Sequence, residues 1–86
     1  MAKQFNQREN AEREKRWRYF NENVLPFLAF EYDVRQPNAA CYIAENTPKG
    51  NLTIYPKGDK IQLTDGSWVS EKIIDWLKKN IIKEKF

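Results

Sequence analysis

The chain has 86 residues, 41% of them hydrophobic, 31% charged and 14% aromatic, and 15 Lys+Arg against 12 Asp+Glu give a formal net charge of +3. It contains no histidine and a single cysteine, Cys41. These counts exclude a Ser-His or Cys-His nucleophile pair, a histidine metal ligand, an internal disulfide and a cysteine-rich zinc site, and the length suits one domain over residues 1–86.

Residues 3–23 hold no Gly or Pro and predict a helix. Arg8 with Glu12, Glu9 with Arg13, Glu12 with Arg16 and Glu14 with Arg18 stand at i,i+4 spacing. Three of these pairs place the acid first, the favourable order, each contributing about 0.3–0.5 kcal/mol. Only Phe5 and Ala11 are apolar in the first half, whereas Trp17, Phe20 and Val24, with Tyr19 beside them, form a stripe in the second. The helix is expected to dock through its C-terminal turns, leaving residues 1–12 projecting or frayed. Pro26 is expected to end it, since the residue before a proline avoids the helical region.

The middle of the chain predicts strands. Phe30, Tyr32 and Val34 alternate with Glu31, Asp33 and Arg35, a period of two. Gln36-Pro37-Asn38 marks a turn, and Ala40–Glu45 follows with Cys41 and Ile43 on one face and Tyr42 and Ala44 on the other. Thr47-Pro48-Lys49-Gly50 suits a tight hairpin into Leu52–Tyr55, and Pro56-Lys57-Gly58-Asp59 leads into Ile61–Leu63. Asp65-Gly66 is another turn, followed by Trp68. The last segment predicts an amphipathic helix with Ser70 as N-cap and Glu71 in the first turn. Ile73, Ile74, Trp76, Leu77 and Ile81 share an apolar arc, with Lys72, Asp75, Lys79 and Lys83 opposite and Lys78 and Lys85 adding charge near the end.

The expected fold is α+β, in the order α-β-β-β-α. An N-terminal helix, a three- to four-stranded antiparallel meander and a C-terminal amphipathic helix would pack with both helices on one sheet face. The expected core sets Phe30, Tyr32, Val34, Ile43, Leu52, Ile54, Ile61 and Leu63 against Trp17, Phe20, Trp68, Ile73, Leu77 and Ile81. The longest apolar-leaning run, Val24–Phe30, is broken by Pro26 and falls short of the about 20 residues a spanning helix needs. Residues 1–10 are polar and lack a signal-peptide core, and the lone thiol fits a reducing compartment, so a cytoplasmic location off the membrane is expected.

Two groups of residues carry candidate binding chemistry. Arg13, Arg16 and Arg18 lie beside Trp17 and Tyr19. Arginine pairs with phosphate bidentately and aromatics stack on bases, although the same stretch also reads as an ion-paired, solvated helix face. On the open sheet face, Arg35, Tyr42, Tyr55, Lys60 and Gln62 would form an aromatic and basic surface, with Lys57 at its rim. Such a face suits a protein partner or stacked bases, and tyrosine also favours strands without any binding role. Asp59, Asp65 and Glu71 sit near turns, but no carboxylate pair has acid–base spacing. No enzyme activity, cofactor or metal is implied, and Cys41 is expected to be buried and inert.

The α-β-β-β-α order and the size resemble the double-stranded RNA-binding domain. That resemblance implies RNA contacts from the first helix, a strand-connecting loop and a basic opening of the last helix. Here the last helix opens Val69-Ser70-Glu71-Lys72-Ile73, without the expected run of lysines. Residues 51–82 resemble small phage- and mobile-element-encoded proteins. The shared features are Ile54-Tyr55-Pro56-Lys57, Asp59-Lys60, Trp68 and Ile74-Asp75-Trp76-Leu77. That resemblance implies an accessory protein that inhibits or adapts a host protein.

Three functions follow as expectations. The first is a small intracellular protein-binding module using Arg35, Tyr42, Tyr55, Lys57 and Lys60. The second is a nucleic-acid binder using Arg13, Arg16 and Arg18 with the same tyrosines. The third is a homodimer in which an exposed Trp17 or Tyr19 completes a shared core, against a monomer otherwise.

Overall fold

The structure, a computed structural model, describes the backbone of residues 2–81 and the side chains of residues 10–81. Helix α1 spans Ala2–Tyr19, passes into a π-helical turn at Phe20–Val24, and continues as α2, Leu25–Glu31. Pro26 therefore does not end the helix, contrary to expectation. It occupies the first turn of α2, directly after the π turn, and Leu25 before it keeps helical angles of φ −56° and ψ −43°. The wider π turn absorbs the change of register between the two helices. Phe20, Val24 and Leu28, four residues apart, are all buried along one face.

Because α2 runs to Glu31, the first strand begins later than Phe30. Tyr32 turns extended, and β1 covers Asp33–Asn38. Phe30 thus sits on α2 with 84% exposure rather than at an inward strand position. The remaining strands are β2 (Cys41–Thr47), β3 (Gly50–Tyr55) and β4 (Lys60–Gln62), antiparallel in the order β1-β2-β3-β4. The expected meander is therefore present with four strands. Its turns follow the expected chemistry: Asp59 N–H donates to the Pro56 carbonyl at 3.2 Å, and Gly66 N–H to the Leu63 carbonyl at 2.9 Å.

The pairing fixes which residues share a face. Tyr42 opposes Ile54, Ala44 opposes Leu52, Val34 opposes Ala44, and Ile54 opposes Ile61. These residues face the helices. Arg35, Ile43, Thr53 and Gln62 form a row across the other face, and Tyr55 opposes Lys60 on it. Two assignments are thereby corrected: Tyr42 points into the core, and Ile43 is half-buried on the outer face. The Tyr42 ring stacks on Trp17 at 5.4 Å and on Phe20 at 5.6 Å. That helix-borne aromatic slot sets the phase of β2.

The final helix, α3, covers Ile73–Asn80 and buries Ile73, Trp76 and Leu77. It starts after Ser70, and its cap comes from elsewhere. The Ile73 N–H donates to Asp59 Oδ1 at 3.0 Å, so a carboxylate in the β3–β4 turn caps α3. Lys83 and Lys85 lie outside the described residues. Cys41 is buried, as expected, while Trp68 is 53% exposed and is not a core residue.

Candidate functional site

The surface with the most binding chemistry lies where α1 crosses the end of the sheet. β2 begins there at Cys41, β3 ends at Tyr55 and β4 starts at Lys60. Tyr55 is carried outward by the alternation of β3. Trp68 reaches the same face because its backbone bridges Gln62 on the exposed edge of β4, while Val69 N–H donates to the Ile61 carbonyl at 2.9 Å. The Tyr55 and Trp68 rings lie 5.5 Å apart, tilted by 46°. Lys60 Nζ stands 5.8 Å from the Trp68 ring centroid. Arg13, Ala40, Tyr55, Lys57, Gly58, Lys60 and Trp68 enclose a depression of about 270 Å³. Among the described residues, no carboxylate lines it.

Two cations on α1 and the β3–β4 turn hold this junction together. Arg16 Nε donates to the Lys57 carbonyl at 2.8 Å. Lys57 Nζ pairs with Glu14 at 3.1 Å and lies 5.6 Å from the Trp17 ring centroid. Glu14 thus reaches across to the turn instead of pairing with Arg18 along its own helix. The turn is fastened to α1, which brings Arg13 onto the rim.

The candidate residues therefore divide. Tyr55, Lys57 and Lys60 come together with Arg13, uniting members of both predicted sets. Tyr42 is removed from the surface by its place between the aromatic rings. Arg35 stays exposed on β1, two strands from Tyr55, and its Nε donates to Glu45 Oε1 at 2.7 Å. Arg16 turns its Nε to the Lys57 carbonyl and lines a different groove, the one that also holds Arg18. That groove, of about 510 Å³, is also lined by Tyr19, Phe20, Pro56 and Ile74. Trp17 is half-buried against Tyr42, so the exposed aromatic of the dimer reading is Tyr19 alone, at 51%. The residue that sequence reasoning placed elsewhere is Trp68. Its signal was positional: a tryptophan two residues after the Asp65-Gly66 turn can return along the edge of the preceding strand.

The described residues include no group of three or more Cys, Asp and Glu side chains arranged to hold a metal, and no helix long and apolar enough to cross a membrane. Comparison with known proteins finds no matching family model, curated protein or solved structure.

Proposed function

We propose that this chain is a small non-catalytic binding module for nucleic acid. The observation that carries the reading is the meeting of Arg13 and Lys60 with the Tyr55–Trp68 pair around a depression with no carboxylate in its described lining. Cations neutralise phosphates, and exposed ring faces stack on bases whatever their identity. The modest net charge of +3 matters less than its local arrangement, because two acids beside this rim are engaged, Glu14 by Lys57 and Asp59 by the Ile73 N–H.

The test is fluorescence anisotropy of labelled DNA and RNA oligonucleotides at low and moderate salt. Affinity should fall as salt rises, and Arg13→Ala should lower it and flatten the salt dependence by about one unit of slope. Absence of salt-sensitive binding at low salt would remove this reading.

A second reading keeps the same surface for a protein partner. Trp, Tyr and Arg are the residue types that most often carry binding energy between proteins, and Trp68 is more than half exposed. In that reading the chain is an accessory protein, of the phage or mobile-element kind, that inhibits or adapts a host protein. Affinity capture with wild type, but not with Trp68→Ala, would favour it.

A further inference from the structure

Resting on the nucleic-acid reading, we infer that the depression beneath Trp68 is a pocket for one unpaired base, so the module selects single strands over duplex. Its volume of about 270 Å³ lies just under the range of about 300–1,000 Å³ occupied by drug-sized ligands. That space suits a single planar ring system and not a base pair. With centroids 5.5 Å apart and a 46° tilt, the Tyr55 and Trp68 rings touch each other, and Trp68, more than half exposed, keeps ring surface open for a flat group to stack on. Two small residues, Ala40 and Gly58, form part of the wall. At Gly58 a Cβ would meet only ordinary contacts, 3.9 Å from Lys60 Cδ and 3.9 Å from the Tyr55 carbonyl. The site is open because nothing fills it, not because the backbone forbids a side chain there.

The competing occupant of the Trp68 face is Lys60. A lysine over an exposed ring gains about 0.5–1 kcal/mol, whereas a base stacked on an aromatic contributes about 1–3 kcal/mol. The base displaces the ammonium, and the flexible Lys60 side chain swings to the adjoining phosphate. Arg13, fixed on α1, faces the strand from the other wall. No side-chain amide or carboxylate lines the pocket among the described residues, so the base is accepted by shape and stacking with little discrimination by its edge.

The experiment compares twelve-nucleotide single-stranded DNA and RNA with a blunt duplex of the same sequence, using wild type, Trp68→Ala and Gly58→Leu. Gly58→Leu adds bulk to the pocket wall beside the Lys60 stem while keeping both rings and every cation in the sequence, and circular dichroism establishes that each variant is folded. Wild type should bind single strands at least tenfold more tightly than duplex. Both variants should lose roughly ten- to a hundredfold of that affinity, with duplex binding unchanged. Equal affinity for single strands and duplex, or single-strand binding indifferent to Gly58→Leu, overturns the pocket and leaves the nucleic-acid reading standing. No binding to any nucleic acid at low salt overturns both. Tighter binding of polyglutamate than of single strands at equal charge concentration overturns the pocket in favour of an acidic protein segment.

Discussion

The Tyr42 hydroxyl donates to Asn21 Oδ1 across 2.5 Å, tying the second strand to the π-helical turn. Burial holds the Tyr42 phenol above its ordinary pKa, favouring the neutral form in the folded state. The stability this provides is intact below the ordinary value of about 10 and is lost as pH rises through the higher folded-state value. Tyr42→Phe should cost about 1 kcal/mol by leaving Asn21 short of a donor. Urea unfolding at pH 8 and pH 11 checks both points: wild type should lose more stability than the variant over that interval. Binding at the Trp68 pocket should be unchanged by this substitution, since Tyr42 faces the core.

Asp59 caps α3 from a turn in which its own φ is 55°. Aspartate and asparagine tolerate that left-handed conformation better than most residues, and both carry a capping oxygen. Asp59→Ala should therefore lower stability by about 0.5–2 kcal/mol, and Asp59→Asn by less. Denaturant midpoints at equal slope measure the difference. Equal losses for Ala and Asn would exclude the cap as the source.

Gly50 and Gly66 both adopt positive φ, 83° and 87°, but in different surroundings. A Cβ at Gly66 meets nothing within 4 Å, whereas one at Gly50 would fall 2.7 Å from Thr64 Oγ1. Gly66→Ala should cost about 1–2 kcal/mol from backbone strain alone, and Gly50→Ala more. In a Thr64→Ala background the cost of Gly50→Ala should fall to that of Gly66→Ala. A double-mutant cycle on unfolding free energies reads this coupling directly.

The Ser67 hydroxyl donates to Asp65 Oδ1 at 2.6 Å and the Ser67 backbone N–H at 2.9 Å. These bonds hold the Asp65 carboxyl below the ordinary carboxylate range. Their contribution to stability is present above the ordinary aspartate pKa and is lost as pH falls through the lowered one. Carbon-13 NMR titration should show the Asp65 midpoint rising in Ser67→Ala. It should not rise the whole way, because the backbone donor remains.

Leu77 is fully buried on α3 in the centre of the core. Leu77→Ala should cost about 2–5 kcal/mol, a large share of the stability available to a chain of this size. Thermal unfolding followed by circular dichroism measures it.

How far the sequence revealed these features depended on how sharply polar residues marked each element. Leu52-Thr53-Ile54-Tyr55 alternates unambiguously, and its inward and outward sides are as expected. Cys41-Tyr42-Ile43-Ala44 has no charged residue to set its phase, so either pair could face inward. The choice was made by Trp17, Phe20 and Asn21, more than twenty positions away, and local periodicity carries no such information. Phe30 was misplaced for a related reason. Its alternation with Tyr32 and Val34 suggested a strand, but the first turn of α2 accommodated Pro26 and the helix absorbed Phe30. Arg13 and Tyr55 were each legible as candidates. Their meeting was not, because it depends on the tertiary fastening of Lys57 to Glu14 and Arg16.

That fastening makes one wall of the pocket a helix and the other a sheet. Were α1 to lift away, Arg13 would leave with it and the pocket would lose its helical wall. An occupant spanning Arg13 and Trp68 would accordingly act as a clasp, stabilising the assembled chain by about 2.7 kcal/mol at a hundred times its dissociation constant. Melting temperature would then serve as a gauge of occupancy, and a loosened first helix would weaken binding without any change to the residues that touch the ligand.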